Sequence, residues 1–155
     1  MTAFIGIDPG QTGGLALVSA RGMLVDVQQM PAIDSEVSGL LLAALLHDWR
    51  DMVQDECRVV IEQVHSMPGQ GVSSVFKFGK SFGIALGVVQ AMGLPMERVT
   101  PQKWKQMFVL IGKDKDASRG KATELWPDMA TRWKNKNQNG LSDAALIAEY
   151  GRRTL

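Results

Sequence analysis

The chain has one cysteine, Cys57, in 155 residues, so an intramolecular disulfide and a four-cysteine zinc site are both excluded. Such sparing use of cysteine fits a reducing compartment, and a cytoplasmic protein is expected, in the host cytoplasm if a phage encodes it. Long apolar runs are missing too. The longest covers residues 40–46, far short of a membrane span. No basic region followed by an apolar stretch opens the chain, so no signal peptide and no membrane partner are expected. Internal repeats and low-complexity linkers are absent, and the length fits one domain over residues 1–155. What is present is ordinary for a globular protein, with 45% hydrophobic and 21% charged residues. That balance argues against a disordered or collagen-like chain.

The net charge of +1 conceals an asymmetry. Residues 1–62 hold three Lys/Arg against nine Asp/Glu, whereas residues 63–155 hold fourteen against seven. A basic half in a near-neutral chain points to an anionic partner, nucleic acid among them. The plainer reading is the imbalance that any division of a chain produces.

Apolar runs at 3–8, 15–19 and 23–29, punctuated by Pro9-Gly10, Gly13-Gly14 and Arg21-Gly22, predict a meander of three antiparallel strands. Asp34 or Ser35 is the expected cap of a helix reaching about Val53, with Val37, Leu40, Leu41, Ala44, Leu45 and Trp49 at helical spacing. A β-branched strand at 58–64 follows, then a Gly/Pro/Ser loop at 66–73 and a helix over about 74–92. Gly79, Gly83 and Gly87 recur along that helix, for close packing on the chain's own sheet or for a subunit interface. A short strand at 97–100 precedes a helix opened by Thr100-Pro101. Further helices are expected at 117–125 and 141–151, with a basic loop at 132–140. Strand–helix–strand crossovers favour parallel pairing of the later strands. The fold class is α/β, a mixed five-stranded sheet flanked by helices.

Three acids lie in apolar surroundings: Asp8 at the end of the first strand, Glu62 in Val59-Val60-Ile61-Glu62-Gln63-Val64, and Asp143 in Leu141-Ser142-Asp143-Ala144-Ala145-Leu146. A lone buried carboxylate costs several kcal/mol or takes up a proton. Convergence on divalent cations resolves that cost, and oxygen-only ligands favour Mg²⁺ or Mn²⁺ over zinc. Each acid also has a structural reading: Asp8 as a turn residue before Pro9-Gly10, Glu62 as an arginine partner, Asp143 as an N-terminal helix cap or a first-turn acid favoured by the helix dipole.

Several blocks, in order, resemble RuvC-type Holliday junction resolvases. These are Ile5-Gly6-Ile7-Asp8-Pro9-Gly10 with Gly13-Gly14-Leu15-Ala16, then Ile61-Glu62-Gln63-Val64 and Phe76-Lys77-Phe78-Gly79-Lys80-Ser81-Phe82-Gly83. Val99-Thr100-Pro101, Trp104-Lys105 and Asp143-Ala144-Ala145-Leu146-Ile147-Ala148 complete the set. The stretch Asp116-Ala117-Ser118-Arg119-Gly120-Lys121-Ala122, ending in Leu125-Trp126-Pro127, is closest to the phage and viral branch. The resemblance implies an RNase H-like fold, a homodimer and cleavage of four-way DNA junctions by phosphodiester hydrolysis. It implies two Mg²⁺ ions per active site, with Mn²⁺ as substitute, roughly 3.5–4 Å apart. Asp8 would bridge both ions, and Glu62 and Asp143 would complete the ligand set. The family's fourth ligand, one helical turn before the last aspartate, is acidic or sometimes histidine. Here the candidates are Asn139, four residues before Asp143, whose amide oxygen lacks charge, and Gly140, three before. Either the site works with three acids or Asn139 stands where an aspartate is needed.

Ser73, Lys77 and Lys80 on the central helix, Lys103 and Lys105 around Trp104, and Lys115, Arg119, Lys121 and Lys136 further on are candidate DNA contacts. For each, a solvated helix face is the alternative. His65 follows Glu62-Gln63-Val64, where related resolvases carry an aromatic that wedges into the junction, and Met67 is a similar candidate; an ordinary loop histidine is the alternative. His47 and Cys57 read as structural, and Trp49, Trp104 and Trp126 as core or helix-docking residues. Two competing classes remain. Asp8-Pro9-Gly10-Gln11-Thr12 superficially fits the phosphate loop of sugar kinases and actin-like ATPases, but those need two domains and a second Gly-rich motif, so no nucleotide cofactor is expected. The other is a junction-binding protein with weak or lost catalysis, marked by Asn139.

Overall fold

The computed structural model describes all 155 residues. Strands β1 (Thr2–Asp8), β2 (Gly14–Val18) and β3 (Leu24–Gln29) form the expected antiparallel meander. Next come a two-stranded hairpin, β4 (Ala32–Ile33) and β5 (Glu36–Val37), and helix α1 (Gly39–Val53). Strand β6 (Glu56–Glu62) pairs in parallel with β1; β7 (Met96–Val99) pairs in parallel with β6 after the crossover helix α2 (Val72–Ala91). The five-stranded sheet therefore runs β3-β2-β1-β6-β7. Helices α3 (Pro101–Met107), α4 (Asp116–Leu125) and α5 (Asn139–Thr154) complete the chain. Between α4 and α5 lie two 3₁₀ segments, Pro127–Trp133 and Lys136–Gln138, where a loop was expected.

One expectation is corrected at the start of α1. Asp34 and Ser35 do not cap it; they form the two-residue turn of the β4–β5 hairpin, with φ of 50° and 63°. A two-residue hairpin turn with both central residues left-handed matches the strand twist, and Asp tolerates that backbone. Val37 is buried in the hairpin, and the cap falls to Ser38, whose hydroxyl accepts from the Leu41 N–H at 3.3 Å.

The sheet separates two cores. Residues of opposite parity on a strand face opposite sides. On β1 and β6, Ala3, Ile5, Ile7, Cys57, Val59 and Ile61 pack with α1 and α2. Phe4 and Val60 pack with α3, α4 and α5. Trp49, Trp104, Trp126 and Cys57 are buried as expected. His47 is not a core residue: it is exposed and pairs with Asp51 at 3.6 Å.

By length and composition α2 is apolar enough to cross a membrane, yet its Ser81, Ala85 and Val89 row is buried on the sheet. Its glycines correct the first of their two readings. A Cβ at Gly79, Gly83 or Gly87 would meet nothing within 4 Å, so these residues are not spacers against the chain's own sheet. They lie on the outward face.

Candidate active site

The parity that puts Phe4 and Val60 beneath α5 puts Asp8 and Glu62 on that same side, at the C-terminal ends of two parallel neighbours in register at Ile7 and Ile61. Helix α5 carries Asp143 across them, and it lies exceptionally close. A Cβ on Gly6 would fall 2.0 Å from the Ala144 carbonyl oxygen, and one on Gly140 would fall 2.6 Å from that of Thr12. Bare backbone on both sides seats the N-terminal half of α5 directly on β1 and the loop after it. The three acids of the sequence pattern thus come together from a strand end, a neighbouring strand end and a crossing helix.

Their titration reflects that company. Burial, then the nearby charges of Glu62 and Asp143, pushes the Asp8 carboxyl up to about 8, against the Gly10 backbone N–H and Lys105, which favour the anion. Glu62 is raised by burial and by Asp143; the Trp104 Nε1–H, which donates to its Oε2 at 2.5 Å, and Lys105 oppose this. Asp143 is raised by burial, with the Ser118 hydroxyl, Lys105 and Lys115 opposing. Lys105 is the cation common to all three, and its ammonium sits over the Trp104 ring, 5.4 Å from the centroid. One tryptophan therefore places both an acid and its counter-charge.

Two buried oxygens on α5, Asp143 Oδ1 and Asn139 Oδ1, have no hydrogen-bond partner. Nearly all buried polar atoms in folded proteins are paired, so two orphans four residues apart on one helix face are unusual. With Asp8 they line a cleft of about 430 Å³ that holds a single hydrophobic lining residue, Leu110. Carboxylate and amide oxygens without partners are the donors that hard divalent cations take. The carboxylates are not drawn inward, however: no three His, Cys, Asp or Glu side chains are gathered tightly enough to hold an ion as they stand. The donor chemistry fits a divalent ion, although the side chains as they stand do not close on one.

The predicted DNA contacts divide into groups. Lys105, Lys115 and Lys136 line the cleft, together with Lys113. Ser73, Lys77 and Lys80 line a separate groove between α2 and the β4–β5 hairpin, where Lys80 is already paired with Glu36 at 2.5 Å. Arg119 is engaged internally through its terminal nitrogens, pairing with Asp116 at 2.7 Å and donating to the Lys134 carbonyl at 2.8 Å, while its buried Nε has no partner. Lys121 is paired with Glu124 at 3.2 Å. Lys103 is exposed on α3 outside the cleft, and His65 and Met67 are exposed in the loop before α2. Sequence reasoning missed Thr12 and Asn137 in the cleft wall and the indole donor to Glu62. Composition carries no signal for the first two; a tryptophan just after a Pro-initiated helix start carries only a weak one.

The fold is that of known resolvases. The chain superposes on Thermus thermophilus RuvC in complex with a Holliday junction substrate with a TM-score of 0.68 at 18% identity, over 99% of this chain and 96% of that one. A second Thermus thermophilus RuvC structure gives 0.65 at 19% identity, over 97% and 95%. The yeast mitochondrial Holliday junction resolvase Ydc2 gives 0.59 at 12%, over 97% and 78%. No protein-family model and no curated protein sequence matches the chain.

Proposed function

We propose that the protein is a structure-selective endonuclease that cleaves four-way and other branched DNA junctions as a homodimer. One observation carries this reading. Three half-buried carboxylates from β1, β6 and α5 converge beside a cleft walled by Lys105, Lys113, Lys115 and Lys136, in a fold shared with RuvC. Acids there are unfavourable without a cation, and lysines around them match a phosphodiester.

Asp8, Glu62 and Asp143 would hold Mg²⁺ or Mn²⁺, with the Asn139 amide oxygen as a neutral fourth donor. Bound ions supply an activated water and charge neutralisation for hydrolysis. The chain itself does the rest. Lysines 113, 115 and 136 seat the phosphates that flank the scissile one. Lys105, pinned over Trp104, offsets negative charge as the strand approaches the acids. Trp104 fixes the Glu62 carboxylate through one oxygen and leaves the other free. The outward face of α2, with Val72, Phe76, Gly79, Gly83 and Gly87 exposed and no atom near the glycines, supports a second copy docking there. The Asp116–Ala122 block supports the phage and viral branch.

The test is a synthetic four-way junction with each strand labelled in turn, incubated in Mg²⁺ and in Mn²⁺. Paired nicks in opposed strands, lost with Asp8→Asn, are the expected result. A second reading, junction binding with little cutting, is favoured by the uncharged Asn139. Nicks that appear only with Asn139→Asp would select it for the native chain, and absence of junction binding would overturn both.

A further inference from the structure

The segment joining α3 to α4 contains an uncommon backbone choice. Helix α3 ends in a Schellman closure, in which the Leu110 N–H donates to the Lys105 carbonyl at 2.8 Å and the Val109 N–H to that of Gln106 at 3.2 Å. The closure requires one left-handed residue, and Val109 occupies it at φ 58°. Glycine usually fills this position because left-handed backbone crowds a Cβ, and a β-branched side chain is the least suited of all. The other left-handed residues that are not glycine are Asp34, Ser35 and Gln54, none of them β-branched.

Packing does not explain the valine. Its side chain is 72% exposed, and Ile111 two residues on is 55% exposed, while Leu110 between them is buried. Phe108 and Leu110 anchor the segment in the α5-side core. The loop is therefore fixed in place and presents two apolar side chains outward. It also forms one wall of the acidic cleft through Leu110, Lys113 and Lys115, with Lys105 just before it. The apolar pair thus lies between cations along the chain.

We propose that Val109 and Ile111 contact an unstacked base at the branch point of the DNA whose phosphates the flanking lysines hold. This rests on the junction-nuclease reading and adds a source of its selectivity. A linear duplex turns phosphates and sugars outward and keeps its bases stacked, so it satisfies the lysines and offers the apolar pair almost nothing. A branch point interrupts stacking, and an apolar side chain can cover the bared base face, as wedge residues do in kinked DNA. The lysines set affinity for any DNA, and the apolar pair separates branched from linear.

The experiment compares wild type, Val109→Gly and Ile111→Ser in EDTA on two DNAs: a four-way junction with 2-aminopurine at the branch and a linear duplex. Val109→Gly relieves the left-handed crowding, so its Tm rises by about 2–4 °C. Its junction affinity falls about tenfold, its duplex affinity holds, and the 2-aminopurine brightening seen with wild type is lost. Ile111→Ser shows the same DNA pattern without the rise in Tm. Unchanged junction affinity in both variants, an equal loss on both DNAs, or a loss that tracks altered self-association overturns the proposal while leaving the nuclease reading intact. A wild type that does not bind the junction at all overturns both.

Discussion

Helix α5 carries two acids six residues apart, Asp143 half-buried and Glu149 buried, and they are treated in opposite ways. Glu149, 3% exposed, receives Arg152 at 2.7 and 2.8 Å and Arg153 at 2.7 Å, and its carboxyl is held below the usual range by those two guanidinium groups despite burial. Asp143 keeps an oxygen with no partner, and its carboxyl is raised. Glu149 is an internal fastening whose needs the chain meets. Asp143 is left with an unpaired oxygen, and so is Asn139 one turn before it. The same helix thus satisfies one carboxylate from within and leaves an oxygen of the other unpaired.

The sharpest way to break this contrast is to neutralise each acid. Asp143→Asn is expected to lower junction cleavage by at least about 10³-fold, the scale on which metal-assisted hydrolysis depends on its ligands, with Tm equal to or above wild type. Glu149→Gln is expected to do the reverse. Its loss leaves two arginines without their partner and costs about 1–3 kcal/mol in urea unfolding, reduced from the fully buried case because both arginines reach solvent. Cleavage per folded molecule stays at the wild-type level. If Asp143→Asn destabilises as Glu149→Gln does, the two acids are alike and the distinction is lost.

A pH series tests the same contrast without mutation. Asp8, raised from 3.8 to about 8, binds its proton more tightly folded than unfolded. Its contribution is full below about pH 4 and drains away as pH rises to about 8. Glu149, lowered, contributes stability above its unfolded value of 4.5 that is lost on acidification below it. In EDTA the unfolding free energy should therefore decline between pH 5 and 8, and Asp8→Asn should flatten that decline. Adding Mg²⁺ at pH 8 should restore what EDTA exposes. The smallest effect is expected from Trp104→Phe, which removes the donor to Glu62. Cleavage should fall about three- to tenfold and stability by about 1 kcal/mol, measured by initial rates and by urea unfolding.

Most of this arrangement was legible in the chain. The meander, the two crossovers and the positions of Asp8, Glu62 and Asp143 follow from alternation, turn residues and acids in apolar company. The α1 start was misplaced because Asp34 and Ser35 suit a cap and a left-handed turn equally, and only the pairing of Ala32 with Val37 decides between them. Glu149 went unnoticed as a buried acid, although arginines three and four residues later are the signal of an acid with partners in hand. Arg119 shows the converse. It stands in a basic run that reads as a DNA contact, yet Asp116 three residues before it and two carbonyls brought in from the 3₁₀ region engage it. Charge in the sequence does not reveal whether a cation is free; only its neighbours in space do.

The glycine seam under α5 has a further meaning. Where helix and strand meet backbone to backbone at Gly6 and Gly140, the interval between Asp8 and Asp143 is set by the absence of side chains, like the jaw of a gauge closed to its stop. Side-chain changes elsewhere in either core can be absorbed by rotamers and leave that interval as it was. A single methyl group at Gly6 has nowhere to go but against the Ala144 carbonyl, and lifts the whole helix. The spacing of the two acids is in this sense written into two residues that carry no side chain.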